Sequence, residues 1–304
     1  MRWILPNGFS PGITRVWRRG RIFAAVFICA SFAVPAISAA EMTVLAGTES
    51  FHWAEFAPSG KELLSETGYR PFAGFAYLQD GGAGMLFGYH AKVYSGDVRY
   101  DGQTQSGTPV STTTSYTGMV NEVDLHYRLR NGPADRYYWD LVGGIGLDFW
   151  RRDIKSAYSS VLGATAAGYV EEYLIGYLRA GVNFNRVEYG FQGEAGVKYP
   201  ISTWEKANLQ AGMGADSDPV LEPGKSISYY ASLGYRFDSR WNVIFGYDSY
   251  RFSRSSSADM TIKGQKYSAA QPESREDLYS FSVGYSFGAN PENGEPQSGV
   301  PARP

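Results

Sequence analysis

The sequence predicts an all-β chain, a transmembrane antiparallel up-and-down β-barrel of about ten strands. Three observations predict it. Apolar and polar residues alternate with period two along most of the chain, short turns alternate with long polar connections, and the N-terminus has the form of an export signal. A helix cannot use a period of two, because 3.6 residues per turn would scatter both residue kinds around its surface.

The N-terminus sets the solvent. Arg15, Arg18, Arg19 and Arg21 precede the apolar run "IFAAVFICASFAV" (22–34), followed by "PAISAAE". A basic region, a short apolar region and small residues at Ser38 and Ala40 make a secretory signal peptide, residues 1–40, cut after Ala40. The run is well below the ~20 residues a spanning helix needs. Cys29, the sole cysteine, lies inside it behind Ile28, where a lipoprotein signal wants a small residue. Residues 1–40 hold five arginines and no acid, so the remaining chain carries 23 basic and 30 acidic residues, a net charge of −7. Nucleic acid is therefore not an expected partner, and a mature chain without cysteine has neither disulfides nor thiolate metal sites. No run beyond residue 40 reaches spanning-helix length, so entry into a membrane requires a closed barrel, the other structure that satisfies every backbone group in lipid.

The strands follow in order. "VNEVDLHYRLRN" (120–131) sets Val123, Leu125, Tyr127 and Leu129 against Glu122, Asp124, His126 and Arg128. "YWDLVGGIGLDFW" (138–150) opposes Trp139, Leu141, Ile145, Leu147 and Phe149 to Asp140 and Asp148. "VEYGFQGEAGVKY" (187–199) places Glu188, Gln192, Glu194 and Lys198 opposite an apolar row. "SISYYASLGYRF" (226–237) and "WNVIFGYDSY" (241–250) repeat the pattern, with Arg236 and Asp248 on their polar sides. Most of these apolar rows start or end in Trp, Tyr or Phe, where the aromatic girdles of a membrane barrel fall. The apolar rows then face lipid and the polar rows face a lumen.

Short turns are expected at 80–84, 131–136, 184–186 and 238–240, and long polar loops near 55–70, 97–117, 152–169, 200–224 and 254–275. Four turns and five loops join ten strands, with both chain ends in the periplasm. The Ser- and Thr-rich segment 100–118 reads as a solvated loop, and segment 51–70 as a fold over the barrel mouth with Phe51, Trp53 and Phe56 near the membrane edge.

The last strand, "DLYSFSVGYSF" (277–287), alternates Tyr279, Phe281, Val283, Tyr285 and Phe287 with Ser280, Ser282, Gly284 and Ser286. It resembles the C-terminal assembly signal of Gram-negative outer-membrane barrels, which implies recognition by the barrel insertion machinery. Here the aromatic is followed by residues 288–304, a Pro- and Gly-rich stretch that reads as a disordered periplasmic tail.

Residues 42–287 thus resemble the small outer-membrane β-barrel proteins, and ten strands with five large loops resemble the omptin proteases among them. That resemblance implies carboxylates at the barrel mouth and a histidine beside one of them as general base. The corresponding places here read "GDVRYDG", with Asp97 and Asp101, and "GADSDPV", with Asp216 and Asp218, and no histidine lies near the second. The chain has three histidines, His52, His90 and His126. His90 shares a face with Lys92, and His126 with Glu122 and Asp124, so both look inward; a metal site between them is the alternative to a polar lumen network. "DGGAG" and "GGIG" lack a following helix or lysine and are turn and packing glycines rather than phosphate loops.

The expected barrel spans residues 41–287. Its lumen network comprises Glu122, Asp124, Asp140, Asp148, Glu188, Glu194 and Asp248 against Lys92, Arg128, Arg179, Lys198 and Arg236, with His90 and His126. Near balance predicts internal pairing and a closed lumen. The expected function is non-enzymatic, without cofactor or metal: a structural or surface-interaction protein of the outer membrane, reached by Sec-type export. Its partners are outer-membrane lipid, lipopolysaccharide, the insertion machinery and an extracellular ligand at the loops. A narrow porin-like channel and a degenerate omptin-like protease are the alternatives.

Overall fold

The computed structural model describes residues 40–104, 107–129, 137–161, 163–186, 190–237 and 240–288. The signal peptide up to residue 39, Glu188, the whole 131–136 turn, residues 238–239 of the 238–240 turn and all but the first residue of the 288–304 tail lie outside them.

In chain order the strands are β1 (Ala40–Phe56), β2 (Glu62–Gly82), β3 (Met85–Gln103), β4 (Pro109–Leu129), β5 (Tyr137–Ile154), β6 (Ala157–Ser159), β7 (Ala164–Ala166), β8 (Tyr169–Arg186) and β9 (Phe191–Ala207). A short helix, α1 (Leu209–Met213), follows. Then come β10 (Val220–Leu221), β11 (Gly224–Lys225), β12 (Ser228–Arg236), β13 (Trp241–Ser253), β14 (Ala258–Ile262), β15 (Gln265–Ala269) and β16 (Glu273–Gly288). Ten of these form one antiparallel barrel in the order β1-β2-β3-β4-β5-β8-β9-β12-β13-β16, closed by pairing of β16 with β1. Closure leaves no sheet edge, which a wall in lipid requires. Among the described residues no helix is long and apolar enough to cross a membrane.

The predicted alternation sets the faces. Val44, Val93, Leu125, Ile145, Leu178, Leu233 and Phe245 are exposed on the outer wall. The belt ends abruptly on one side: Val93 gives way to Ser95, Met119 to Thr117, Phe149 to Arg151 and Tyr279 to Asp277. On β5 it runs from Tyr137 to Phe149, roughly 30 Å at ordinary strand rise and tilt. Aromatic girdles bound it, with Trp241 packed on Tyr285 and Tyr285 on Phe287 at the end carrying the termini, and Tyr247 on Tyr279 at the other.

The strands run past the belt, and this corrects the expected loops. Segments 55–70 and 97–117 are mostly strand; a tight turn at 57–61 interrupts the first, and in the second Thr104 N–H donates to the Thr108 carbonyl and Gly107 N–H to the Thr104 carbonyl. Alternation persists there although, Tyr69 apart, most outward residues are polar or charged, so polar composition hid the strands. Phe51 and Trp53 are not at the membrane edge but buried inside the barrel. "FNR" (184–186) is likewise strand.

One break in alternation matters. A bulge where Tyr177 pairs with Pro200 but Gly176 with Ser202 adds a residue to β9. Below it Lys198 faces inward; above it Thr203, Glu205 and Ala207 do, whereas unbroken alternation would have turned Trp204 and Lys206 inward.

Candidate functional site in the lumen

Every described residue of the expected network faces the lumen, and most are paired. Near the end that carries the termini, Arg128 Nε donates to Asp140 Oδ1 at 3.0 Å and Arg236 Nη2 to Glu41 Oε1 at 2.7 Å. Arg179 bridges two strands, donating to Glu122 Oε2 at 2.7 Å and to Glu194 Oε1. Lys198 pairs with Asp248 at 2.5 Å and lies over the Tyr250 ring at 3.9 Å. His90 and His126 do not converge on an empty centre. Each places Nε2 against one oxygen of the same carboxylate, His126 on Asp124 Oδ1 at 2.9 Å and His90 on Asp124 Oδ2 at 3.3 Å. Among the described residues no group of three potential ligands could hold a metal ion.

Asp148 departs from the expected pairing: it is buried, and its Oδ1 has no hydrogen-bond partner. Ion pairs are not all that packs the lumen. Twelve buried residues from β1, β3, β4, β5, β8, β13 and β16, among them Phe51, Trp53, Tyr94, Tyr116, Trp150 and Tyr173, form one apolar plug across it. Trp150 stacks on Tyr173 at 4.8 Å and Tyr250 on Phe252 at 5.5 Å. Inward glycines make room: a Cβ on Gly118 would overlap the Tyr94 ring, and one on Gly146 the Tyr177 ring.

The plug holds two buried cations that sequence reasoning missed. Arg70 donates to Glu49 Oε1 at 2.5 Å, while Lys92 donates to Glu49 Oε2 at 2.9 Å, and the Arg70 guanidinium lies 4.1 Å from the Phe51 ring centroid. Arg152 is shared by three glutamates: Nη1 donates to Glu55 at 3.0 Å and to Glu171 at 2.6 Å, and Nη2 to Glu66 at 3.0 Å. Glu66 also accepts from Thr114 and Tyr116. Arg70, Glu55, Glu66, Thr114, Tyr116 and Arg152 come from strand stretches taken for loops, so their pairing was visible only once the register carried those strands beyond the belt.

The outer mouth has its own cover. Ala207, Leu209, Ala215, Met260 and Ala269 form a second buried cluster joining α1 to the β14–β15 hairpin. Asp216 fastens it: its N–H donates to the Thr261 carbonyl, and its Oδ1 accepts from the Thr261 N–H, both at 2.8 Å. That backbone hydrogen bond holds the exposed Asp216 carboxyl below its usual range. The other aspartates of the omptin comparison also look away from the lumen. Asp97 accepts from Ser115, and Asp101 from Ser111 and Arg99, on the outer wall, while Asp218 accepts from the Gln210 N–H.

No family model and no curated protein matches the chain. Solved structures do. The outer membrane protease OmpT from Escherichia coli is similar at 12% identity and TM-score 0.54, over 82% of this chain and 97% of that one. The fold is that of the outer-membrane β-barrels. The translocator domain of autotransporter NalP from Neisseria meningitidis (12%, TM-score 0.38, 83% and 90%) and the transport unit of autotransporter AIDA-I from Escherichia coli (10%, TM-score 0.40, 82% and 90%) are more distant. At these identities the likeness extends to architecture alone.

Proposed function

We propose that this outer-membrane barrel is a non-conducting, non-enzymatic protein with a structural or surface-interaction role, delivered by an N-terminal signal and inserted through its last strand. The observation that carries this reading is the apolar plug. A cluster of twelve buried residues, nearly all Trp, Tyr, Phe, Ile, Leu or Val and each nearly inaccessible to water, argues against a hydrated path through the barrel. A porin needs the opposite, a polar water-filled lumen. Against proteolysis stands the orientation of Asp97, Asp101, Asp216 and Asp218, all engaged away from the lumen, while His90 and His126 both contact Asp124 instead. The projecting strands and the clamped outer mouth would then present a rigid surface for an extracellular ligand, as loops on a fixed scaffold do. Lipopolysaccharide and outer-membrane lipid would contact the belt and its polar rim.

The test is planar-bilayer recording from purified, heat-modifiable barrel. The expected result is no steady conductance. Large, stable single-channel steps would overturn the reading in favour of the porin alternative, and cleavage of unstructured basic peptides by the same preparation would restore the protease.

A further inference from the structure

The outward face of β4 carries a residue ill suited to lipid. Met119, Val123, Leu125 and Tyr127 stand on that face, and between Met119 and Val123 stands Asn121. Its Oδ1 accepts from the Tyr89 hydroxyl at 2.9 Å across the β3–β4 pair, so both polar groups lie on the outer wall. The Asn121 Nδ2 donates to no group among the described residues. The wall turns polar only at Thr117, and four residues of tilted strand put Asn121 roughly 10 Å deeper. So short a side chain cannot snorkel back to water as lysine or arginine does. In hydrocarbon an amide donor without an acceptor is costly, so Asn121 calls for a partner in the plane of the membrane.

The wall beside it is low. Ala91 pairs with Asn121, and Ala46 with Ala73, whereas β5 presents Leu141, Ile145, Leu147 and Phe149. The neighbouring ladder is also open: β2 and β3 pair at Phe72 with Tyr94 and again at Gly68 with Val98, and between them Pro71 has no N–H to give. Small residues let membrane-embedded backbones approach closely, and side-chain amides hydrogen-bond across the contact. Two copies of one chain enter the membrane in the same orientation, so a twofold axis along the membrane normal sets equal depths face to face. A carboxamide is both donor and acceptor, and Asn121 Oδ1 keeps a second lone pair beside the Tyr89 bond. Asn121 is therefore complementary to itself. We propose that the β1–β4 face around Asn121 is the contact of a homodimer in the membrane, with reciprocal Asn121 amide hydrogen bonds across its twofold axis. Dimerisation through the wall is independent of conduction and of any ligand at the outer surface.

Beyond the signal peptide the chain has no cysteine, so single cysteines in the full barrel report proximity. Thr117→Cys sits on the rim directly above Asn121, and Ser253→Cys on β13 lies five strands away in barrel order. With a flexible bismaleimide in outer membranes, Thr117→Cys should give a cross-linked dimer and Ser253→Cys at least tenfold less. In phosphatidylcholine vesicles, energy transfer between donor- and acceptor-labelled copies is followed as lipid dilutes the protein. Asn121→Leu should require at least tenfold more protein per lipid for half-association, and Asn121→Gln should stay within threefold of the native chain; heat-modifiable mobility reports folding. If Asn121→Leu does not fold, Ala73→Phe, which raises the low wall, replaces it with the same expected loss. A native chain monomeric at every dilution would overturn the proposal and leave the carboxamide to lipid. Cross-linking as efficient through Ser253→Cys, or association unchanged in the folded variant, would overturn it in favour of non-specific clustering.

Discussion

Replacing Arg152 by methionine removes the one cation shared by Glu55, Glu66 and Glu171 while keeping most of the side-chain volume. In the folded barrel the guanidinium and all three carboxylates are nearly inaccessible to solvent, at most 8% exposed. Glu66 retains hydrogen bonds from Thr114 and Tyr116, and Glu55 retains those from Trp53 and Gln271. Glu171 retains only a 3.3 Å bond from Tyr173. Removing one partner of a buried pair typically costs about 3–5 kcal/mol, because the remaining charge has lost both water and its counter-ion. With three carboxylates and one cation the loss should reach the upper part of that range at pH 8. It should shrink at pH 5, where proton uptake neutralises the stranded carboxylates. Arg152→Lys should fall between, since a point charge cannot serve three acceptors as the planar fork does. Denaturant titrations of refolded protein in micelles, approached from both the folded and unfolded sides, measure this by tryptophan fluorescence. A loss below about 1 kcal/mol for Arg152→Met at pH 8, or one independent of pH, would show that water reaches the cluster and refute the reasoning.

Three further outcomes are expected. Leu125 is 51% exposed in the middle of the lipid belt, so Leu125→Arg should cost roughly 2–4 kcal/mol in bilayers, with Leu125→Ala far milder; equal losses would place that row elsewhere than in lipid. Phe287→Ser should sharply lower the amount of barrel assembled in the outer membrane, while deletion of 289–304 should not, as heat-modifiability of membrane fractions will report. Asp216→Ala should remove hydrogen-exchange protection from the Thr261 amide. Because the folded carboxyl is held below its usual value, the native protein should keep that protection above about pH 4 and lose it progressively below; protection unaltered by the substitution would show that the hairpin is held by its apolar cluster alone.

The sequence by itself determined the wall. Period-two alternation needs only local backbone geometry, so the rows around Leu125, Ile145 and Phe281 announced both a strand and its lipid face, and a barrel follows from the need to satisfy every backbone group in lipid. The same alternation placed Asp124, His126, Arg179 and Lys198 inward. Partnership was another matter, because which inward charges meet depends on neighbouring-strand register and on contacts across the barrel. Glu49 meets Arg70 and Lys92 because β1 is hydrogen-bonded to β2 and β2 to β3 in one particular register. The reach of the strands past the belt was hidden for a compositional reason: above lipid both faces of a strand can be polar outside and mixed inside, so segments 55–70 and 97–117 resembled loops. Glu205 required still more, a single-residue bulge that reverses the faces of β9, which no alternating pattern foretells. The plug was the last thing to emerge, since aromatic residues such as Phe51, Trp150 and Tyr250 stand far apart in sequence and pack together only when seven strands bring them into one cluster.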